Sequence, residues 1–160
     1  MDELHKFIMK LKRIKRQGFT LIELLVSISI IAILVAVTAA GFTTAQKRGR
    51  DSKRLGEIKA IAQSLEQCYV LDEAYPSSIT FGSSLECGVS KTVMNSVPVD
   101  PKNTGLYVYT YTASALGQEF CVCGYLEKLG SGNALSAGAA GVCSFSSGPD
   151  NDYRCLSNQQ

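Results

Sequence analysis

The chain opens on a segment rich in basic residues, runs into an unbroken apolar stretch, and only then settles into a mixed pattern. From Leu24 to Gln46 no charged residue occurs, and from Leu24 to Val37 nearly every side chain is aliphatic. A helix over residues 24–46 rises roughly 35 Å, more than the hydrocarbon thickness of a bilayer at about 30 Å. Beyond it, Leu55, Ile58, Ile61, Ala62, Leu65, Cys68 and Tyr69 recur at helical spacing, with Lys59, Gln63, Glu66 and Gln67 mostly between them. That is the apolar face of an amphipathic helix. The two stretches read as one helix from about residue 20 to about residue 71, roughly 75 Å long. Its first half suits a membrane, and its second half suits packing on a globular head.

The pattern changes at Tyr75-Pro76, because the residue before a proline resists helical geometry. A Ser- and Gly-rich loop follows to about residue 96, then a rigid turn with Pro98 and Pro101 over residues 97–105. Residues 106–112 are rich in aromatic and β-branched side chains and read as a strand. A turn at 114–118 leads to a second strand over 119–129. The Gly/Ala/Ser-rich segment 130–141 reads as a mobile loop, and residues 152–157 as a short last strand. The predicted architecture is α+β, a long N-terminal helix packed on a small antiparallel sheet. The expected organisation is a leader at 1–18, a transmembrane and assembly helix at 19–46, the amphipathic half of the helix at 47–72 and a globular head at 73–160.

Charge sharpens this division. Of 160 residues, 16 are Lys or Arg and 14 are Asp or Glu. Six of the cations (Lys6, Lys10, Lys12, Arg13, Lys15 and Arg16) fall in the leader with only Asp2 and Glu3, leaving the remainder slightly acidic. No general affinity for nucleic acid is expected of that remainder. By the positive-inside rule the N-terminus stays cytoplasmic and the head is exported. The sole histidine, His5, lies in the leader, which sets aside histidine-based catalysis or metal binding in the rest of the chain. No nucleophile elbow or phosphate loop is present either, so no enzyme is expected.

A basic leader before an apolar run fits a cleaved secretory signal ending near Ala39-Ala40, an uncleaved anchor, or a third arrangement that uses Glu23. A carboxylate at the start of an apolar run costs on the order of 2.5–3.5 kcal/mol at mid-bilayer and less near the interface. It is either a boundary charge resting at the headgroups or a residue with a task. The string Gly18-Phe19-Thr20-Leu21-Ile22-Glu23-Leu24-Leu25 resembles the N-terminal signature of type IV pilins and pseudopilins. The resemblance implies cleavage after Gly18 by a prepilin peptidase, N-methylation of Phe19, and pairing of Glu23 with the Phe19 ammonium of a neighbouring subunit. Two opposite charges entering a low-dielectric fibre core are tolerable only when paired. It also implies as partners further copies of the chain, minor pilins and an inner-membrane assembly platform. Such a subunit sits in the cytoplasmic membrane before assembly, head outside, and in an extracellular or periplasmic fibre afterwards. The Tyr-Pro helix end, the 97–101 turn and Ser147-Gly148-Pro149-Asp150 are similar to the major pseudopilins of type II secretion. An exported, membrane-anchored binding module is the competing class, and it leaves Glu23 without a role. Many major pilins carry a proline within this helix. Here the first proline is Pro76, and Gly41 is either a flexible point or a tolerated helix glycine costing about 1 kcal/mol.

Three further features call for chemistry. The run Lys47-Arg48-Gly49-Arg50-Asp51-Ser52-Lys53-Arg54 reads as a solvated collar that pairs with acids on a neighbouring subunit. A nucleic-acid groove would want interleaved aromatics, and none lies between Phe42 and Tyr69. Tyr107, Tyr109 and Tyr111 alternate onto one strand face, as a packing stripe or a binding surface. Asp150 and Asp152 are the calcium candidates, by likeness to the C-terminal loop of some major pseudopilins. A hard cation needs six to eight oxygens, and two carboxylates leave most of them to the backbone. The expectation is no cofactor.

All six cysteines (Cys68, Cys87, Cys121, Cys123, Cys143 and Cys155) lie in the exported part, where they read as disulfides. Cys68 with Cys87 and Cys143 with Cys155 are plausible staples. The alternation of Cys121 and Cys123 on one strand face argues that these two find different partners, which conflicts with both staples holding at once, and the pairing stays open. A zinc site is disfavoured, because histidine and paired Cys-x-x-Cys spacing are both missing.

Overall fold

A computed structural model describes residues 18–158; residues 1–17 of the leader, with its basic cluster and His5, lie outside the described residues. Helix α1 spans Leu21–Asp72, followed by β1 (Leu85–Cys87), β2 (Lys91–Met94), β3 (Tyr109–Ala113), β4 (Phe120–Tyr125) and β5 (Tyr153–Ser157). The chain divides into two compact units at Gly41/Phe42.

The first unit is the apolar part of α1. Its aliphatic side chains are exposed all round, Leu21, Ile28, Ile33 and Val37 among them. The richest window has a mean hydropathy of 2.7 with none of it buried, so α1 is long and apolar enough to cross a membrane. The few hydroxyls in this stretch bond to the helix itself. Ser27 Oγ donates to the Glu23 carbonyl at 2.7 Å, Ser29 Oγ to Leu25 at 2.8 Å, and Thr38 Oγ1 to Leu34 at 3.0 Å. In lipid every polar group needs such an internal partner. Gly41 is helical, with open space where a Cβ would stand.

The second unit is the head with the rest of α1. Ile58, Ile61, Ala62, Leu65 and Cys68 are buried against Tyr75, Leu85, Val97, Tyr109, Phe120 and Val122. Leu55, expected on this face, is 41% exposed and lies outside the core. The helix ends where Glu73 turns to a left-handed φ of 55° and its N–H bonds to the Tyr69 carbonyl at 2.8 Å, a C-terminal stop of the αL type. β1 and β2 form an antiparallel hairpin in what the sequence suggested was loop. The Cys68–Cys87 disulfide ties it to the helix end.

The main sheet runs β3-β4-β5, all antiparallel. Its first strand starts at Tyr109 rather than residue 106, because the Tyr107 N–H turns back to the Thr104 carbonyl at 3.0 Å. β4 stops at Tyr125 rather than 129, because the Leu126 N–H bonds to the Asp152 carbonyl at 2.8 Å. β4 is buried on both faces. Phe120 and Val122 face the helix core, while Cys121 and Cys123 face a second cluster with Ala134, Cys143 and Cys155. Gly124 lets helix and strand approach. A Cβ there would meet Ile58 Cδ1 and the Tyr109 ring at 2.9 Å, closer than real Cβ contacts come.

The 130–141 segment, expected to be mobile, is packed over β5. Ala134 is fully buried and bridges to both Phe145 and Tyr153. The Asn133 amide completes the outer edge of β5. The Cys155 N–H donates to Asn133 Oδ1 at 2.8 Å, and Asn133 Nδ2 donates to the Cys155 carbonyl at 2.9 Å. One side chain thus does what a further strand would do. Asn133→Ala is expected to leave both backbone groups of Cys155 without these partners and to cost about 1–3 kcal/mol. Chemical denaturation of the detergent-solubilised chain would read this, and an unchanged midpoint would contradict it.

Candidate functional site

The start of α1 is built by four residues. Thr20 is the N-cap, and its Oγ1 accepts the Glu23 N–H at 3.3 Å. In return Glu23 Oε2 accepts the Thr20 N–H at 2.9 Å and the Thr20 hydroxyl at 2.8 Å. This is a reciprocal capping box. It gives Glu23 a local partner within the isolated chain that the sequence reading did not assign to it. Gly18 and Phe19 precede the helix in non-helical backbone. Phe19 is 82% exposed and nothing crowds Gly18. The Gly18–Phe19 bond is therefore an exposed, non-helical peptide immediately before the capped helix start. Cleavage there would put an ammonium four residues before the Glu23 carboxylate, at the head of an apolar helix with no covering of its own.

The basic run at 47–54 departs from the expected collar. Lys47 and Arg48 are exposed, and Lys53 lies 3.7 Å from Glu57. Arg50, Asp51 and Arg54 instead turn into the head, because residues 51, 54, 58, 61 and 65 share one side of the helix. Arg54 is fully buried. Its Nε and Nη2 donate to the two Asp100 oxygens at 2.7 and 3.0 Å, and its Nη1 to Asp51 Oδ1 at 2.8 Å and Glu127 Oε1 at 3.0 Å. Arg50 grips Glu127 from outside with bonds of 2.5 and 2.7 Å. Lys102 stands 3.8 Å from Glu127 and 3.8 Å over the Tyr107 ring. Asp51 also accepts the N–H groups of Glu127 and Lys128, both at 2.9 Å. Three cations meet three carboxylates, so these acids are satisfied within the chain and the cluster leaves no net charge for a neighbour to neutralise.

The electrostatics follow from that geometry. Hydrogen bonds from Arg50 pull the Glu127 carboxyl down from an ordinary 4.5 to about 2, against the opposing effect of burial. Burial pushes the Asp100 carboxyl up, but Arg54 and the Lys102 and Asn103 N–H groups outweigh it and hold it low. Burial likewise opposes the charge on Arg54, and its three carboxylates overcome this and raise its pKa. Both acids bind protons less readily folded than unfolded. Their contribution to stability is complete above about pH 4.5 and is lost as pH falls toward 2. A melting temperature that declines through that window is expected, and one that stays flat to pH 2 would contradict the assignment.

The tyrosine row makes packing contacts within the head. Tyr109 is buried with its hydroxyl 2.5 Å from Glu57, and the Tyr111 hydroxyl donates to the Pro76 carbonyl at 2.6 Å. Tyr107 lies before the strand, under Lys102 and Arg54. At the calcium candidates, Asp150 is exposed. Asp152 Oδ1 accepts the Gly130 N–H at 2.8 Å, and Oδ2 the Tyr125 hydroxyl at 3.3 Å. The adjoining Asn151 is buried, its Oδ1 without a hydrogen-bond partner.

The cysteines form Cys68–Cys87, Cys121–Cys143 and Cys123–Cys155. The suggested Cys143–Cys155 staple is therefore wrong. Cys155 sits opposite Cys123 in the β4–β5 register, in a pair whose β5 backbone groups face Asn133 instead of β4, the close-set type of cross-strand pair. Cys143 is carried to Cys121 by the turn at Ala139–Val142.

Arg54, Asp51, Asp100 and Glu127 are the residues that sequence reasoning missed. A signal existed: Arg54 extends the Ile58, Ile61 and Leu65 stripe by one turn toward the N-terminus.

Comparison with known proteins bears on the first of these sites. Residues 13–39 match the family described as the prokaryotic N-terminal methylation motif. The chain is 36% identical over 89 residues to the type II secretion system core protein G of Pseudomonas aeruginosa, an alignment covering 55% of this chain and 60% of that protein. The chain thus spans about three-fifths of the length of this curated relative. No solved structure matches. The chain thus carries the prokaryotic N-terminal methylation motif at the start of its capped apolar helix, and over 89 residues it is similar to a type II secretion core protein.

Proposed function

We propose that this protein is a structural subunit of a type IV pilus or pilus-like fibre, made as a prepilin and polymerised through the first half of α1. The observation that carries the proposal is the junction at residues 18–23. An open Gly18–Phe19 bond leads straight into a capped helix whose apolar side chains are exposed on every side. Prepilin peptidase cuts after Gly18, Phe19 becomes the methylated first residue, and the cut leaves the helix in the membrane as a store of subunits. On extraction into the fibre, contacts between Leu, Ile, Val and Ala of neighbouring helices replace those with lipid, and Glu23 pairs with the Phe19 ammonium of the next copy. Its partners are further copies, minor pilins and the assembly platform of the cytoplasmic membrane, with the head on the outer side. The role is not enzymatic, and the disulfide-bonded head needs no cofactor.

The test is the intact mass and N-terminal residue of the protein recovered from its own cells. A chain beginning at N-methylated Phe19 is expected. One beginning near Gly41 would mean ordinary signal cleavage, a released head and the failure of the proposal.

The similarity to a type II secretion core protein favours a second reading, the major pseudopilin of such a system. Immunogold labelling separates the two, since long surface fibres belong to the pilus and a label confined to the cell envelope to the pseudopilus.

A further inference from the structure

Four of the six cysteines converge on one point beneath the sheet. Cys121 and Cys123 project from the same face of β4, Cys155 stands opposite Cys123 on β5, and Cys143 arrives from the loop. Their four sulfur atoms all lie within 4.8 Å of one another. The sulfurs of Cys121 and Cys123, which belong to different bridges, are 3.3 Å apart. All four residues are buried in one cluster with Ala134, and Ala137 and Tyr153 pack against it. Gly138 allows the loop to close over them, since a Cβ there would come 2.6 Å from the Cys121 sulfur.

Four thiolates around a zinc ion, with Zn–S near 2.3 Å, stand about 3.8 Å apart. The unbonded Cys121 and Cys123 sulfurs stand 3.3 Å apart and no pair lies beyond 4.8 Å, so the two bonded pairs are the ones that must open to reach it. Cys68 and Cys87 lie in the other core cluster, against the helix, and take no part. The sequence argued against zinc because the cysteines lack paired Cys-x-x-Cys spacing. The fold supplies the geometry by another route, with an i, i+2 pair on one strand, one residue from the neighbouring strand and one from a loop.

We propose that Cys121, Cys123, Cys143 and Cys155 form a four-thiolate site for one zinc ion in the reduced chain, before the two bridges close. Zinc binding takes the four thiols to thiolates and releases four protons to solvent. On a newly made chain the thiols are already present and no reductant is needed. The ion holds the four sulfurs together and out of wrong pairings, and shapes the far side of the sheet while Cys121–Cys143 and Cys123–Cys155 are still absent.

The experiment uses the full chain in detergent, reduced without oxygen by a water-soluble phosphine. Each bridge gains two hydrogens from water while the phosphine takes up the oxygen as its oxide. Cobalt(II) is titrated as a coloured substitute, followed by displacement with zinc, and circular dichroism follows the fold. The expected result is one cobalt per chain with a tetrahedral thiolate spectrum, bleached by one equivalent of zinc, together with zinc-dependent recovery of native dichroism. Cys68→Ser/Cys87→Ser is expected to keep the site, and Cys121→Ser/Cys123→Ser to weaken it by about 100-fold or more. No thiolate band, a stoichiometry other than one, equal binding by both double variants, or a reduced chain that stays unfolded with zinc would each overturn the proposal.

Discussion

Arg54→Ala is expected to destabilise the head by about 3–5 kcal/mol, the cost of removing one partner from a buried ionic cluster. The head has no reserve to absorb such a loss easily, since folded domains are stable by only about 5–15 kcal/mol. Arg54 makes four hydrogen bonds to three carboxylates. Without it Asp100 remains fully buried with only the Lys102 and Asn103 N–H groups. Arg50 and Lys102 still reach Glu127 but not Asp100. Arg54→Lys keeps the charge and lacks the planar fork that grips both Asp100 oxygens, so it recovers only part of the loss. Chemical denaturation of the three proteins at neutral pH decides the matter. A loss below about 1 kcal/mol in Arg54→Ala would place the cluster with ordinary surface pairs and refute the assignment.

Glu23→Ala is expected to spare membrane insertion and to abolish fibres. The structure supplies the control that such a variant needs. Because Glu23 also closes the capping box with Thr20, its removal could act by fraying the helix start, worth about 1 kcal/mol, rather than by deleting a charge. Glu23→Gln separates the two. Glutamine serves in a capping box but cannot neutralise an ammonium. Fibre counts by electron microscopy, with membrane fractionation as the insertion control, are expected to show near-complete loss for both variants. Normal fibres in Glu23→Gln would assign the residue to the cap and refute the pairing.

The long helix was legible from sequence because its signals are local and repeated: an unbroken apolar run, a stripe at helical spacing and a proline beyond the end. The last strand was legible for the same reason, a short alternating segment against a loop. The β1–β2 hairpin was not, because its strands have three and four residues and Glu86, Lys91 and Thr92 are exposed, so no periodicity develops. The Arg54 cluster was missed by reading charge as surface. A helix position is set by its angle around the axis, and Arg54 shares that angle with the core residues below it. The Cys121–Cys143 bridge could not be read locally, since the path of the 126–152 segment decides it. The Gly18-to-Glu23 string was legible because it is contiguous, whereas the hydrogen bonds between Thr20 and Glu23 needed coordinates.

The placement of the three disulfides has a mechanical consequence. A load applied between the helix and the C-terminal strand would travel from Cys68 directly to Cys87, and from Cys123 directly to Cys155, bypassing the chain enclosed by each bridge. Of the sequence beyond the helix, the segment between Cys87 and Cys121 is the long part left to unravel, at no more than about 3.6 Å per residue. The bridges thus act as length limiters. A head built in this way can give under tension and recoil, with its central strand and its last strand still joined.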